Sequence, residues 1–291
     1  MEHPSERQLM GNSRPRTRIT ILVDNNAKPG KGLVAEHGFS ALIERDLTRV
    51  LFDTGQGPAL IHNSRILGIS LAPVTLVVLS HGHYDHTGGM LHVAKLNRSF
   101  RVVVHPDALG PRFAKNSDEG AMRSIGVPYS KSDLEAVGVN FEFITDFKEV
   151  LPGFWFTGQI PQIHEERLDR RLYTMRNNHV APDPVKDEAS LVVHTNSGWI
   201  LLLGCAHPGL RNILEYASQI LGIGQFHAII GGTHLGMLET QKTSEAIEAF
   251  DRFAVQCIAT AHCTGANATA ALKSHFGHRF SEVFAGAVFE F

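Results

Sequence analysis

The chain has 291 residues, 43% of them apolar and 19% charged, which excludes disordered, collagen-like and coiled-coil classes. At this length a domain buries roughly 75% of the surface its unfolded chain would expose, so no disulfide framework is needed. With 27 basic and 29 acidic residues, the net charge of −2 offers no field for nucleic acid or an anionic membrane. Three cysteines, Cys205, Cys257 and Cys263, match neither a disulfide scaffold nor a paired zinc ribbon and point to a reducing, cytoplasmic setting. Seventeen histidines stand against 4 tyrosines and 2 tryptophans, an excess that asks for a use.

Residues 1–17 read as a solvated tail, because MEHPSERQLMGNSRPRTR lacks the apolar core of a signal peptide. No later stretch reaches the roughly 18 to 20 apolar residues that span a bilayer. In SALIERDLTRVLFDTG the runs Ala41 to Ile43 and Val50 to Phe52 flank a polar turn, which predicts a hairpin ending at Asp53. A helix and a strand over Leu76 to Leu79 follow, and that strand runs straight into SHGHYDH.

Residues 105–187 are rich in proline and read as a variable cap of loops and short elements between two halves. Within it, HEERLDRRLYTMRNNH carries Arg167, Arg170, Arg171 and Arg176, which could meet a phosphate or carboxylate on a substrate. Glu165, Glu166 and Asp169 beside them favour a solvated charged helix.

The second half repeats the first. SLVVHTNSGWILLLGCAHPG places Leu191 to Val193 and Ile200 to Leu203 around the turn Asn196, Ser197 and Gly198, and ends on Cys205 and His207. A helix then leads to a strand over Ala228 to Ile230 and the loop GGTH, with His234. Ile247, Phe250 and Ala254 at helical spacing predict a further helix, followed by a strand over Cys257 to Ala259 and the loop ATAHCTG. Strands that alternate with helices and deliver polar loops from their carboxyl ends predict a layered α/β sandwich of two pseudo-duplicated halves, with its site along one rim.

His81, His83, Asp85 and His86 fall within six residues, after an apolar strand and around Gly82, which lets the backbone fold tightly. Imidazoles and a carboxylate suit zinc, iron or manganese. Four ligands exceed the three that an open catalytic metal usually takes, so two metals sharing the loop would explain the surplus. Isolated histidines such as His62, His164 and His275 sit in no motif and read as surface or core residues.

HGHYDH after an apolar strand, with LFDTG upstream, resembles the metallo-β-lactamase superfamily from Ile19 onward. The blocks LVDNN, EHGFSALIE, LFDTGQG, LSHGHYDHTGG, GCAHPG, GGTHL and AHCTG resemble its branch related to 7,8-dihydropterin-6-methyl-4-(β-D-ribofuranosyl)aminobenzene 5'-phosphate synthase. The superfamily resemblance implies an αββα sandwich with a dinuclear metal site between two sheets. It places His81 and His83 on the first metal, completed by His207, and Asp85 and His86 on the second, completed by His262.

Where many members end the second hairpin in Gly-Asp, this chain has Gly204-Cys205, and Asp187 and Glu188 stand where a histidine would precede that hairpin. The bridging position is therefore open between a Cys205 thiolate, His207 and water. His234 is open between metal or substrate contact and a structural role, and Asp53 between orienting a ligating imidazole and shaping a turn. Glu36 and His37, in EHG, are expected from the family block to reach the mouth of the site.

The implied activity is metal-dependent hydrolysis of an ester or phosphoester by an activated water, with Asp85 orienting it or sharing its proton. A rival is a transferase that joins a dihydropterin methyl group to a ribosylaminobenzene phosphate with loss of diphosphate. A third reading is a non-catalytic metal-binding protein. The expected cofactors are two divalent ions, zinc first, then manganese, iron or magnesium. The expected partner is a small molecule, phosphorylated or not, with no nucleic acid or membrane, and a homo-oligomer is allowed.

Overall fold

The computed structural model describes residues 16–97, 100–115, 120–166, 169–237 and 240–291. In chain order, β1 (Thr17–Val23) precedes the hairpin β2 (Ser40–Arg45) and β3 (Thr48–Phe52), then α1 (Pro58–Ile66) and β4 (Leu76–Val78). Next come α2 (Tyr84–Thr87), α3 (Met90–Leu96), β5 (Arg101–Val104), β6 (Arg112–Ala114), β7 (Arg123–Ser124) and α4 (Lys131–Ala136). β8 (Asn140–Phe143), β9 (Lys148–Leu151), β10 (Phe154–Phe156), β11 (Leu172–Arg176) and β12 (His179–Pro182) follow. The second hairpin is β13 (Leu191–Thr195) and β14 (Gly198–Leu203). It leads to α5 (Leu210–Leu221), β15 (Ala228–Gly232), α6 (Thr240–Arg252), β16 (Cys257–Ala261), α7 (Ala266–Phe276) and β17 (Val288–Glu290).

A seven-stranded sheet in the order β17-β1-β2-β3-β4-β5-β8 packs on a six-stranded sheet in the order β16-β15-β14-β13-β10-β9. The duplication is explicit in the pairing. β2 and β3 are antiparallel and β4 joins β3 in parallel with Val50 opposite Leu76, while β13 and β14 are antiparallel and β15 joins β14 in parallel with Ile200 opposite Ala228.

The two-residue period of a strand divides the core into layers. Ile43, Val50, Phe52 and Val78 pack with Leu191, Val193, Ile200 and Leu202 between the sheets. Their chain neighbours Leu42, Leu51 and Val77 face outward onto Leu60, Met90 and Val93, and Val192, Leu201 and Leu203 face outward onto Ile213, Leu214 and Phe250. Each such aliphatic side chain contributes about 1.5–3 kcal/mol on burial. Helices outside and two sheets inside give the αββα order.

Several expectations are corrected. Thr17 opens β1 and is fully buried, so the solvated tail does not extend to it, and residues 1–15 lie outside the described residues. The segment 105–187 is not only a cap: β8 extends the first main sheet, β9 and β10 extend the second, and only β12-β11-β6-β7 form a sheet of their own. The arginine-rich stretch is no helix over its described part. β11 and β12 pair as a hairpin around Asn177 and Asn178, whose φ values of 49° and 62° suit a two-residue turn, and Leu172 and Thr174 alternate inward. Arg167 lies outside the described residues. α6 ends at Arg252, and Ala254 turns away exposed with φ 46°, leaving Ala246, Ala249 and Phe250, with Phe253 just beyond, to form the buried face. Among the described residues no helix is long and apolar enough to cross a membrane.

Candidate metal centre

Each loop that carries a candidate ligand leaves the carboxyl end of a strand: Asp24 and Asn25 after β1, Asp53 after β3, Ser80 to His86 after β4, Cys205 to His207 after β14, His234 after β15, and His262 after β16. That rim is where open α/β sheets place ligands. Four non-glycine residues there adopt left-handed backbone, namely Asp53, Ala206, His234 and His262 with φ of 57°, 62°, 54° and 50°. Such conformations cost of order 1–3 kcal/mol each and persist where surrounding structure over-determines them. Gly82 is required for a reason other than the expected tight turn, since a Cβ there would lie 1.9 Å from the Ala108 carbonyl oxygen.

Three donor sets converge, each with ligand atoms within 4.8 Å of one another: His81, His83 and His207; His37, Asp85 and His262; and His81, His86 and Cys205. His81 Nε2 lies 2.9 Å from His83 Nδ1. Asp85 Oδ2 lies 3.2 Å from His37 Nε2, 3.3 Å from His262 Nε2 and 3.7 Å from His86 Nε2. Cys205 Sγ stands 3.3 Å from His86 Nε2.

The outward-facing ring nitrogens are already engaged. His86 Nδ1 meets the fully buried Asp53 Oδ2 at 2.7 Å, and His81 Nδ1 lies 2.8 Å from Ser80 Oγ, which itself donates to Asp53. His207 Nδ1 bonds to Glu188, and His262 Nδ1 lies 2.9 Å from Asn25 Oδ1. Such partners fix the tautomer and leave Nε2 as the inward donor. Asp53 thus serves two imidazoles as well as its turn. Among the described residues, His83 Nε2 is buried with no hydrogen-bond partner, a donor aimed at nothing the chain supplies.

Electrostatics match a metal site. Burial, reinforced by neighbouring imidazoles, holds His81 and His83 well below the usual histidine range, so both are neutral lone-pair donors. Burial pushes Asp85 up, yet His86, His262 and His37 outweigh it and hold the carboxyl well below its usual range. His86 is opposed by burial but raised to about 9 by Asp53 and Asp85, so a metal taken up there displaces a proton. Imidazoles, a carboxylate and a thiol form a donor set suited to zinc, and the facing His81 Nε2 and His83 Nδ1 would be two of its ligand atoms.

Of the residues singled out in the sequence, His81, His83, Asp85, His86, His207 and His262 are brought together with His37 and Cys205. Glu36 is not among them. Its carboxylate accepts the N–H groups of Gln56 at 2.9 Å and Ala59 at 3.1 Å, holding the start of α1 instead of facing the cleft. His234 sits at the edge, its ring 4.4 Å from that of His207 and its Nε2 3.3 Å from Asp169 Oδ2.

Sequence reasoning missed the supports. Glu188 accepts the backbone N–H groups of Cys205 and His207 at 2.8 Å each, and that of Ala206. Asp187 accepts Gly82 N and Arg112 Nη2, both at 2.8 Å. Asp24 accepts His262 N at 2.8 Å. The acidic pair before the second hairpin and the block LVDNN were the visible signals, but their partners lie far away in sequence. The donors line a cavity of about 140 Å³, closed on one side by Lys115, Arg123, Arg171 and Leu172 of the small sheet and its flanks.

The metallo-beta-lactamase superfamily model matches residues 33–214, and the chain belongs to that superfamily. It is an enzyme fold that implies divalent-metal binding. The chain is 29% identical over 284 residues to a 7,8-dihydropterin-6-methyl-4-(beta-D-ribofuranosyl)-aminobenzene-5'-phosphate synthase of Methanocaldococcus jannaschii, covering 94% of this chain and 96% of that protein. The crystal structure of Tm1679, a metal-dependent hydrolase of the beta-lactamase superfamily, superposes with a TM-score of 0.80 at 28% identity, over 94% of this chain and 98% of that one. Zn(2+)-bound PqqB from Methylobacterium extorquens shares the fold, with a TM-score of 0.55 at 13% identity over 94% and 99% of the two chains.

Proposed function

We propose that the protein is a metal-dependent hydrolase that uses water to cleave an ester or phosphoester bond of a small molecule, with no nucleic acid or membrane involved. One observation carries the reading: an ionised Asp85 carboxylate stands among His37, His86 and His262, beside the neutral pair His81 and His83, at the floor of an open cavity. His81, His83 and His207 would hold one ion and Asp85, His86 and His262 a second. Zinc suits this mixture of nitrogen, oxygen and sulfur best; manganese and iron suit it less, and magnesium least. When bound, the ions supply Lewis acidity and lower the pKa of a water molecule.

The chain's own residues do the rest. Asp85 orients the attacking water and accepts its proton. His37, whose side chain is 54% exposed, relays that proton to solvent. Lys115 and Arg123 line the mouth and favour an anionic, phosphorylated substrate, while Arg171 beside them is paired with Asp169.

A transferase that joins a dihydropterin methyl group to a ribosylaminobenzene phosphate with loss of diphosphate is the second reading, supported by the Methanocaldococcus jannaschii synthase that matches nearly the whole chain. The two separate in one experiment. Metal-loaded protein is offered a panel of esters, phosphoesters, lactones and thioesters, and separately a pterin diphosphate with the amine acceptor. Hydrolysis that vanishes in His83→Ala supports the first reading; a coupled product without hydrolysis replaces it with the second. Silence with zinc, manganese, iron and magnesium alike rejects both.

A further inference from the structure

Beyond the donors assigned to the reaction, the rim holds a second kind of cluster. The ligand atoms of Cys205, His234 and Cys263 lie within 4.8 Å of one another. Two sulfurs bound at about 2.3 Å to one tetrahedral ion stand roughly 3.8 Å apart, so this spacing suits a shared ion. We propose that Cys205, His234 and Cys263 form a separate, sulfur-rich site that takes a soft divalent ion such as zinc or cadmium.

Three consecutive parallel strands supply one ligand each, β14, β15 and β16, in the register Leu203 opposite Gly231 and Gly232 opposite Ala261. His234 is built as a ligand. Its Nε2 is held 3.3 Å from Asp169 Oδ2, while Nδ1 is buried and has no hydrogen-bond partner among the described residues. A carboxylate behind an imidazole whose other nitrogen is free is the arrangement that orients metal-binding histidines.

The backbone makes room for the sulfurs. A Cβ on Gly232 would lie 2.3 Å from the Gly204 carbonyl oxygen, 2.7 Å from Cys263 Sγ and 3.3 Å from Cys205 Cα, so glycine is required by the neighbouring backbone and also leaves space for Cys263. His234 N points at Cys263 Sγ from 3.2 Å, a sulfur used as acceptor. Two thiolates and one imidazole select soft ions, and three protein ligands leave a fourth position facing the cleft that Cys205, His234 and Cys263 line. Binding releases the thiol protons to solvent. Cys205 Sγ, 3.3 Å from His86 Nε2, stands between this site and the reaction centre, whereas Cys257 lies at the other end of β16 beside Ser281.

The test uses the full chain, stripped by chelator under reducing conditions and reloaded with cobalt(II). Wild type should bind about one ion per chain more than Cys263→Ser or His234→Ala, and Cys263→Ser should lose most of the thiolate-to-cobalt charge-transfer absorption while Cys257→Ser loses none. His83→Ala should keep that absorption while losing turnover, which separates this site from the hydrolase reading. Should the variants fold poorly, X-ray absorption of wild type loaded with one equivalent of cadmium reads the sulfur shell directly, and two sulfurs per ion are expected. Full absorption and stoichiometry in both Cys263→Ser and His234→Ala, or fewer than two sulfurs around cadmium, would overturn the site.

Discussion

Glu188 shows how much a single side chain can organise. Fully inside the protein, it would be raised by burial, but the His207 ring and the N–H groups of the turn that carries Cys205 and His207 hold it near 2 instead of 4.5. That difference contributes about 3 kcal/mol to the stability of the metal-free chain at neutral pH. Because folding depresses the pKa, the contribution is complete above pH 4.5 and is lost as the pH falls toward about 2. Glu188→Gln should therefore lower neutral-pH stability by about that amount and flatten the acid limb, read from urea denaturation across pH. Asp53 acts through His86 and Ser80, so Asp53→Asn should weaken metal binding by about 10–100-fold in a chelator competition while the chain stays folded.

At the scale of elements, Arg112 on β6 ties the small sheet to the site. Its Nη2 donates to Asp187, which also holds Gly82, and its Nε lies 3.0 Å from Asp183 Oδ2 as an ion pair. All three residues are buried, so Arg112→Met leaves two carboxylates without their cation. A loss of about 3–5 kcal/mol in urea unfolding is expected, with Asp187→Asn costing less.

What was legible here follows from range. The two hairpins and their helices were readable because alternation and turn residues act within a few positions, as at Val50 to Phe52 and Asn196 to Gly198. The β11–β12 hairpin was misread because its charge pattern hid the alternation of Leu172 and Thr174. Glu36 drew attention by its place next to His37, yet its partners are the amides that begin α1. Arg112 with Asp187, and Glu188 with the Cys205 turn, were invisible because only the folded sheets bring them together.

Across the whole molecule, the division of labour follows from the sandwich. The space between the sheets is filled by alternate residues of both halves, which fixes the strand ends, and those ends carry the donors. Phe156 on β10 is fully buried in that space and does not line the cleft. Phe156→Ala should cost about 3–5 kcal/mol by thermal or urea unfolding yet leave metal stoichiometry unchanged at low temperature. The donor residues were legible one loop at a time, while the grouping of His37 with Asp85 and His262, and of Cys205 with His86, required the closed sandwich.

The most direct test of the central claim is anomalous diffraction at a metal absorption edge from crystals of the zinc-loaded protein. Peaks are expected within bonding distance of His81, His83 and His207, and of Asp85, His86 and His262. Crystals soaked in excess zinc that show no anomalous peak among these side chains would contradict it.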